Sequence, residues 1–162
     1  MIALLAAAAV GCTNTAGVAA RSYTSGWHIW VEPRGTNCGT KLPCTALGVE
    51  WTSKTPERAA LVITFDGDYK VIRRATLNVD GETIQLQGGL DIASYRYAGG
   101  VMRDSSQTFI VPVRLLRQIA ASKRTGLQVE TSSGLVDSFV VDARKDSEAL
   151  YAIKRFLIEV DA

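Results

Sequence analysis

The sequence predicts an α+β fold, a mainly antiparallel β-sheet arranged as a sandwich or a partly closed barrel, with two short amphipathic helices in the C-terminal half. Three observations predict it. Apolar residues recur at every second position through most of the chain, the periodicity of a strand with one buried face. Gly-containing pairs such as Asp66-Gly67, Asp80-Gly81 and Ser133-Gly134 punctuate these runs as tight turns do. Helical spacing replaces the alternation only after Pro112 and again near the C-terminus.

Size and charge set the bounds. With 162 residues, 47% of them hydrophobic and 21% charged, the chain supports one core and one globular domain, expected over residues 27–162. Eighteen basic against sixteen acidic side chains leave a formal charge of +2, which gives no electrostatic case for nucleic acid.

The N-terminus has a different character. Residues 2–10 are apolar and Ala-rich but far short of the ~20 residues that cross a bilayer as a helix. Residues 1–11 are therefore expected to be an export signal, although no Lys or Arg precedes Arg21. Ala9-Val10-Gly11-Cys12 resembles the lipobox of bacterial lipoproteins, with Ala9 where that family prefers Leu. The resemblance implies a lipid on Cys12 as the first mature residue, and a membrane partner through that anchor. Thr13, where the family's sorting pattern has Asp, implies the outer membrane, facing the periplasm. The alternative is a signal cleaved near Val18-Ala19-Ala20, leaving a soluble periplasmic or secreted protein. Residues 12–26, small and polar, read as a flexible tether.

If Cys12 carries lipid, Cys38 and Cys44 remain as an even pair in an oxidising compartment, and a disulfide between them is expected. Two sulfurs with only His28 nearby fall short of a four-ligand zinc set, so neither a metal nor another cofactor is expected.

Taken in order, residues 27–32 alternate as a strand, with Trp27, Ile29 and Val31 on one side and His28, Trp30 and Glu32 on the other. Pro33 and Gly35 end it. Residues 45–51 make a second strand, carrying Leu47, Val49 and Trp51 on one face. The run from 59 to 87 is read as a three-strand meander and the centre of the sheet, turning at Asp66-Gly67 and Asp80-Gly81. Residues 90–98 form an edge strand or an ordered loop, and 107–111 a short strand that hands over at Pro112. From 113 to 122, Val113, Leu116 and Ala120 form a helical stripe, with Lys123 and Arg124 closing its last turn and Gly126 as its stop. A second hairpin turns at residues 132–134, with Leu127, Val129 and Thr131 inward on the way out and Leu135, Phe139 and Val141 on the way back. Asp146 or Ser147 caps a terminal helix whose Ala149, Ile153, Phe156, Leu157 and Val160 share a face.

Chemistry is harder to find. His28 is the only histidine, no nucleophile turn accompanies it, and the acidic pairs flank glycines as hairpin residues do. No catalytic residue is assigned, and the expectation is a non-enzymatic envelope protein that binds another protein as an accessory part of an envelope assembly. A periplasmic small-ligand or glycan-binding module is the alternative, using His28 and Trp30 as an aromatic platform with Tyr95, Arg96 and Tyr97. An envelope-polymer hydrolase is a third, and needs two carboxylates, or one with His28, to converge in a cleft. Arg114 and Arg117, with Lys123 and Arg124, form a candidate basic patch for anionic lipid head groups or an acidic partner; the plain alternative is a solvated helix face.

Overall fold

A computed structural model describes residues 18–23, 26–38, 44–65, 71–88, 97–98, 102–103, 105–143 and 145–162. The first half contains strands β1 (Val18–Tyr23), β2 (Gly26–Gly35), β3 (Thr45–Thr52), β4 (Arg58–Phe65), β5 (Ile72–Val79) and β6 (Glu82–Leu86). There follow β7 (Tyr97–Ala98), β8 (Met102–Arg103) and β9 (Ser105–Pro112), then helix α1 (Val113–Ala121). The chain ends with β10 (Thr125–Thr131), β11 (Gly134–Asp142), β12 (Lys145–Asp146) and helix α2 (Glu148–Val160).

Alternation decides how these strands pack. In β4, Ala59, Leu61, Ile63 and Phe65 are buried while Ala60, Val62 and Thr64 are half-buried. Sheet A has the order β1-β2-β3-β4-β9 and sheet B the order β12-β11-β10-β5-β6, with antiparallel pairing throughout; β7 and β8 pair alone. The inner faces of both sheets and both helices share one hydrophobic core. The sheets do not close into a barrel; isolated bridges join them at Asn37 to Phe139 and at Gly88 to Phe109. The result is an α+β sandwich.

The helices cover what the sheets leave open. Helix α2 lies against β1, β2 and β3 of sheet A, β11 of sheet B and α1, burying Ala149, Leu150, Ala152, Ile153, Phe156 and Leu157. Full burial of a side chain such as Phe156 contributes about 1.5–3 kcal/mol. Ser147 caps the helix, accepting from Leu150 N at 3.1 Å and donating to Val140 O at 2.6 Å. Helix α1 starts after Pro112 without a side-chain cap, and Val113 N donates to Glu57 O at 2.9 Å.

Four expectations need correction. The run from 59 to 87 is not one meander, because β4 pairs with β3 and β9 while β5 pairs with β10 and β6. Alternation sets which face a strand buries and is silent on its partner. Residues 66–71 separate β4 from β5, too long a span for a two-residue hairpin, and the chain crosses there from one sheet to the other. Asp66-Gly67 lies outside the described residues. The second Asp-Gly turn does form the β5–β6 hairpin, with Asp80 at φ 49° and Gly81 at φ 97°.

The segment read as a tether contains β1, paired with β2 from Val18 opposite Val31 to Tyr23 opposite Gly26. Its small residues gave no periodic signal. The return strand β11 is shifted by one position: Val136, Ser138 and Val140 turn inward, while Leu135 is 62% exposed. A shift between Thr125 and Gly126 lets Val141 be buried as well. Helix α1 ends at Ala121, before Lys123 and Arg124, and Gly126 belongs to β10; Ser122 closes the helix by donating its hydroxyl to Ile119 O at 2.9 Å.

Candidate functional site

With Ile29, Val31, Leu47, Val49, Leu61 and Ile63 committed to the core, the residues between them form the outer face of sheet A. Cross-strand register arranges them in rows. Trp30 stands opposite Glu50, Gly48 opposite Val62 and Val62 opposite Thr108; Ala46, Thr64 and Ser106 form the next row. These small side chains floor a groove of about 530 Å3, walled on one side by His28, Trp30 and Glu32.

Glycine is required at position 48. A Cβ there would stand 2.9 Å from Val31 O and 3.1 Å from the Pro33 ring, which lies beside the shift in register between Val31 and Arg34. Its absence lets β2 fold over the groove floor.

The aromatic wall is preassembled. His28 and Trp30 stack with ring centroids 5.1 Å apart and planes 23° apart, and the Arg21 guanidinium of β1 lies 5.6 Å from the Trp30 ring. Glu50 Oε2 is 3.8 Å from His28 Nε2. Both residues are partly solvated, His28 at 31% and Glu50 at 54% side-chain exposure. The groove therefore offers an aromatic anchor, two carboxylates from Glu32 and Glu50, and hydroxyls from Thr64, Ser106 and Thr108. Among the described residues, no group of three or more His, Cys, Asp or Glu is placed to hold a metal ion.

The other candidates lie elsewhere. Arg114 and Arg117, on α1, border a second cavity of about 720 Å3. Arg117 Nη2 donates to Asp161 Oδ1 at 2.5 Å. Lys123 and Arg124 do not border that cavity: the Arg124 guanidinium sits 4.9 Å from the Phe139 ring, and the backbone N–H groups of both residues donate to the Asp80 carboxylate. Tyr95, Arg96 and Cys12 fall outside the described residues, and Tyr97 is described only as a backbone partner of Arg103. Cys38 and Cys44 form a disulfide, with Cα atoms 5.6 Å apart. Among the described residues no helix is long and apolar enough to cross a membrane.

Sequence reasoning found His28 and Trp30 and missed the floor. A signal was present, because the outward positions of β3, β4 and β9 carry Ala46, Gly48, Ala60, Val62, Thr64, Ser106 and Thr108, where solvated strands ordinarily carry longer charged residues. Arg58, which borders the second cavity, was missed as well.

The chain matches no protein-family model, and neither a curated protein nor a solved structure matches it.

Proposed function

We propose that the protein is a non-enzymatic binding module of a bacterial cell envelope, anchored at the outer membrane through lipid on Cys12, and that it holds another envelope protein in the groove of sheet A. The groove carries this reading. Its small floor lets a partner segment approach the sheet closely, and Trp30 supplies the kind of aromatic anchor on which interfaces concentrate their binding energy. The β2, β3, β4 and β9 ladders make it a rigid surface.

A small ligand or glycan is the second reading, favoured by the Trp30–His28 stack. A sugar needs a free ring face. His28 already stacks on Trp30 and the Arg21 guanidinium lies 5.6 Å from its centroid, so a sugar would compete with them for the ring, whereas a protein side chain can pack on the ring edge.

A photoreactive residue placed at Thr64 in cells tests the first reading. It is expected to link one defined protein, and the link is expected to disappear with Trp30→Ala. A small molecule retained by the native protein in mass spectrometry, with no protein link, would turn the assignment to the second. The anchor is tested separately by the intact mass of the membrane-extracted chain against Cys12→Ser. Acyl mass on Cys12 supports it; a lipid-free chain beginning near Arg21 removes it and leaves a soluble module.

A further inference from the structure

We propose that the cavity between the start of β4, the end of β6 and the first turns of α1 binds an anionic group of the phosphate class, held by Arg58 and Arg114 with Arg117 beside them. This goes beyond the proposed function, since the cavity shares no lining residue with the groove of sheet A.

Three guanidiniums from two elements border a space of about 720 Å3. Like charges gathered within a Debye length of roughly 10 Å repel one another unless something between them is negative. Two of the three have carboxylate neighbours. Asp161 accepts a hydrogen bond from Arg117 at 2.5 Å. Glu57 Oε1 lies 3.8 Å from Arg58 Nε, beyond hydrogen-bond reach, so the donors of Arg58 are not consumed by it. Among the described residues the Arg114 guanidinium has neither an ion-pair nor a hydrogen-bond partner. The first turn of α1 adds no acidic side chain, which leaves Glu57 as the one carboxylate among the residues bordering the cavity.

The walls favour such a ligand too. Pro56, Ile110 and Pro112 present apolar surface, and Gln87 adds an amide. The prolines and Ile110 carry no carboxylate to repel an anion, and the Gln87 amide can donate to it. One guanidinium fork satisfies a carboxylate, whereas several converging forks match the multiple oxygens of a phosphate. The source of that phosphate is either a phospholipid headgroup or a dissolved phosphate-bearing molecule.

The test titrates the full 15N-labelled chain with inorganic phosphate, and in parallel measures its sedimentation with phosphatidylglycerol and with phosphatidylcholine vesicles. Saturable amide shifts clustered at Arg58, Gly88, Val113 and Arg114 are expected, with affinity weakened about tenfold or more by Arg114→Ala, the loss of a charge-assisted hydrogen bond. Arg58→Ala is a second exposed substitution, and unchanged thermal unfolding shows that both variants fold. Preferential binding to phosphatidylglycerol that is lost in Arg114→Glu assigns the phosphate to a lipid headgroup. Phosphate binding without that preference assigns it to a dissolved molecule. The absence of both phosphate shifts and an Arg114-dependent vesicle preference overturns the proposal, as do shifts that the arginine variants leave unchanged.

Discussion

Asp80 occupies a backbone conformation that glycine enters far more easily, with φ 49°. Its carboxylate explains why a non-glycine residue is held there: Oδ1 accepts from Lys123 N at 3.0 Å and Arg124 N at 2.8 Å, and Asp80 N donates to Arg124 O at 2.9 Å. One turn residue thus ties the β5–β6 hairpin to the chain leaving α1. Asp80→Ala, which loses the acceptors and keeps the strained φ, is expected to cost about 1–3 kcal/mol in urea unfolding. Asp80→Asn keeps an acceptor and tolerates the conformation, so its cost should be smaller; equal losses would mean that the charged carboxylate, and not merely an acceptor, holds the turn. A second polar knot lies in the core. Thr45 Oγ1 is 2.7 Å from both Thr36 Oγ1 and Ser138 Oγ, and all three side chains are buried. Thr45→Val preserves shape and strands the Ser138 hydroxyl, while Thr36 Oγ1 keeps its bond to Thr45 O at 2.9 Å, for an expected loss of about 1–3 kcal/mol. Thr108→Val on the open groove should change stability by no more than about 0.5 kcal/mol.

Elements were legible in the sequence where one face is buried and the packing signal is local. The alternation at 59–65 gave β4 its correct inward face, and helical spacing gave α2 its Ile153, Phe156 and Leu157. What the alternation does not contain is the identity of the partner strand, which is why β4 and β5 read as one meander although they belong to different sheets. The same limit put β11 out of phase. Leu135 and Phe139 look like core residues in a local window, and Ser138 looks like a solvent-facing one. Ser138 turns inward because its hydroxyl meets Thr45, 93 residues earlier, a partner no local pattern reveals. The candidate site divides in the same way: His28 and Trp30 stand out by residue type, whereas the floor exists only once β3, β4 and β9 lie side by side. The phase of β11 can be checked directly. Leu135→Lys should leave the thermal midpoint nearly unchanged, and Val140→Lys, placing a charge at a fully buried position, should prevent folding. The reverse pattern would restore the phase read from sequence.

At the scale of the molecule, the corner between β2 and β11 joins the two sheets. Asn37 exchanges two backbone hydrogen bonds of 2.8 Å with Phe139, and its Nδ2 donates to Lys145 O at 2.5 Å. Cys38 follows that bridge and Cys44 precedes Thr45, so the disulfide ties together the two chain segments that make the corner. A cross-link closing so short a loop acts mainly by restricting the unfolded chain, and by that account contributes about 2 kcal/mol. The folded corner has its own supports, the Asn37 bridge and the buried hydroxyls, which do not depend on the sulfurs. Sheet A, moreover, is held through β3, β4 and β9 along their whole pairings. The double variant Cys38→Ser/Cys44→Ser is therefore expected to unfold at a lower urea midpoint while keeping the near-ultraviolet signal of its stacked Trp30 and its groove cross-linking. Loss of that signal before the unfolding transition would mean that the disulfide holds the native corner itself, and through it the wall of the groove.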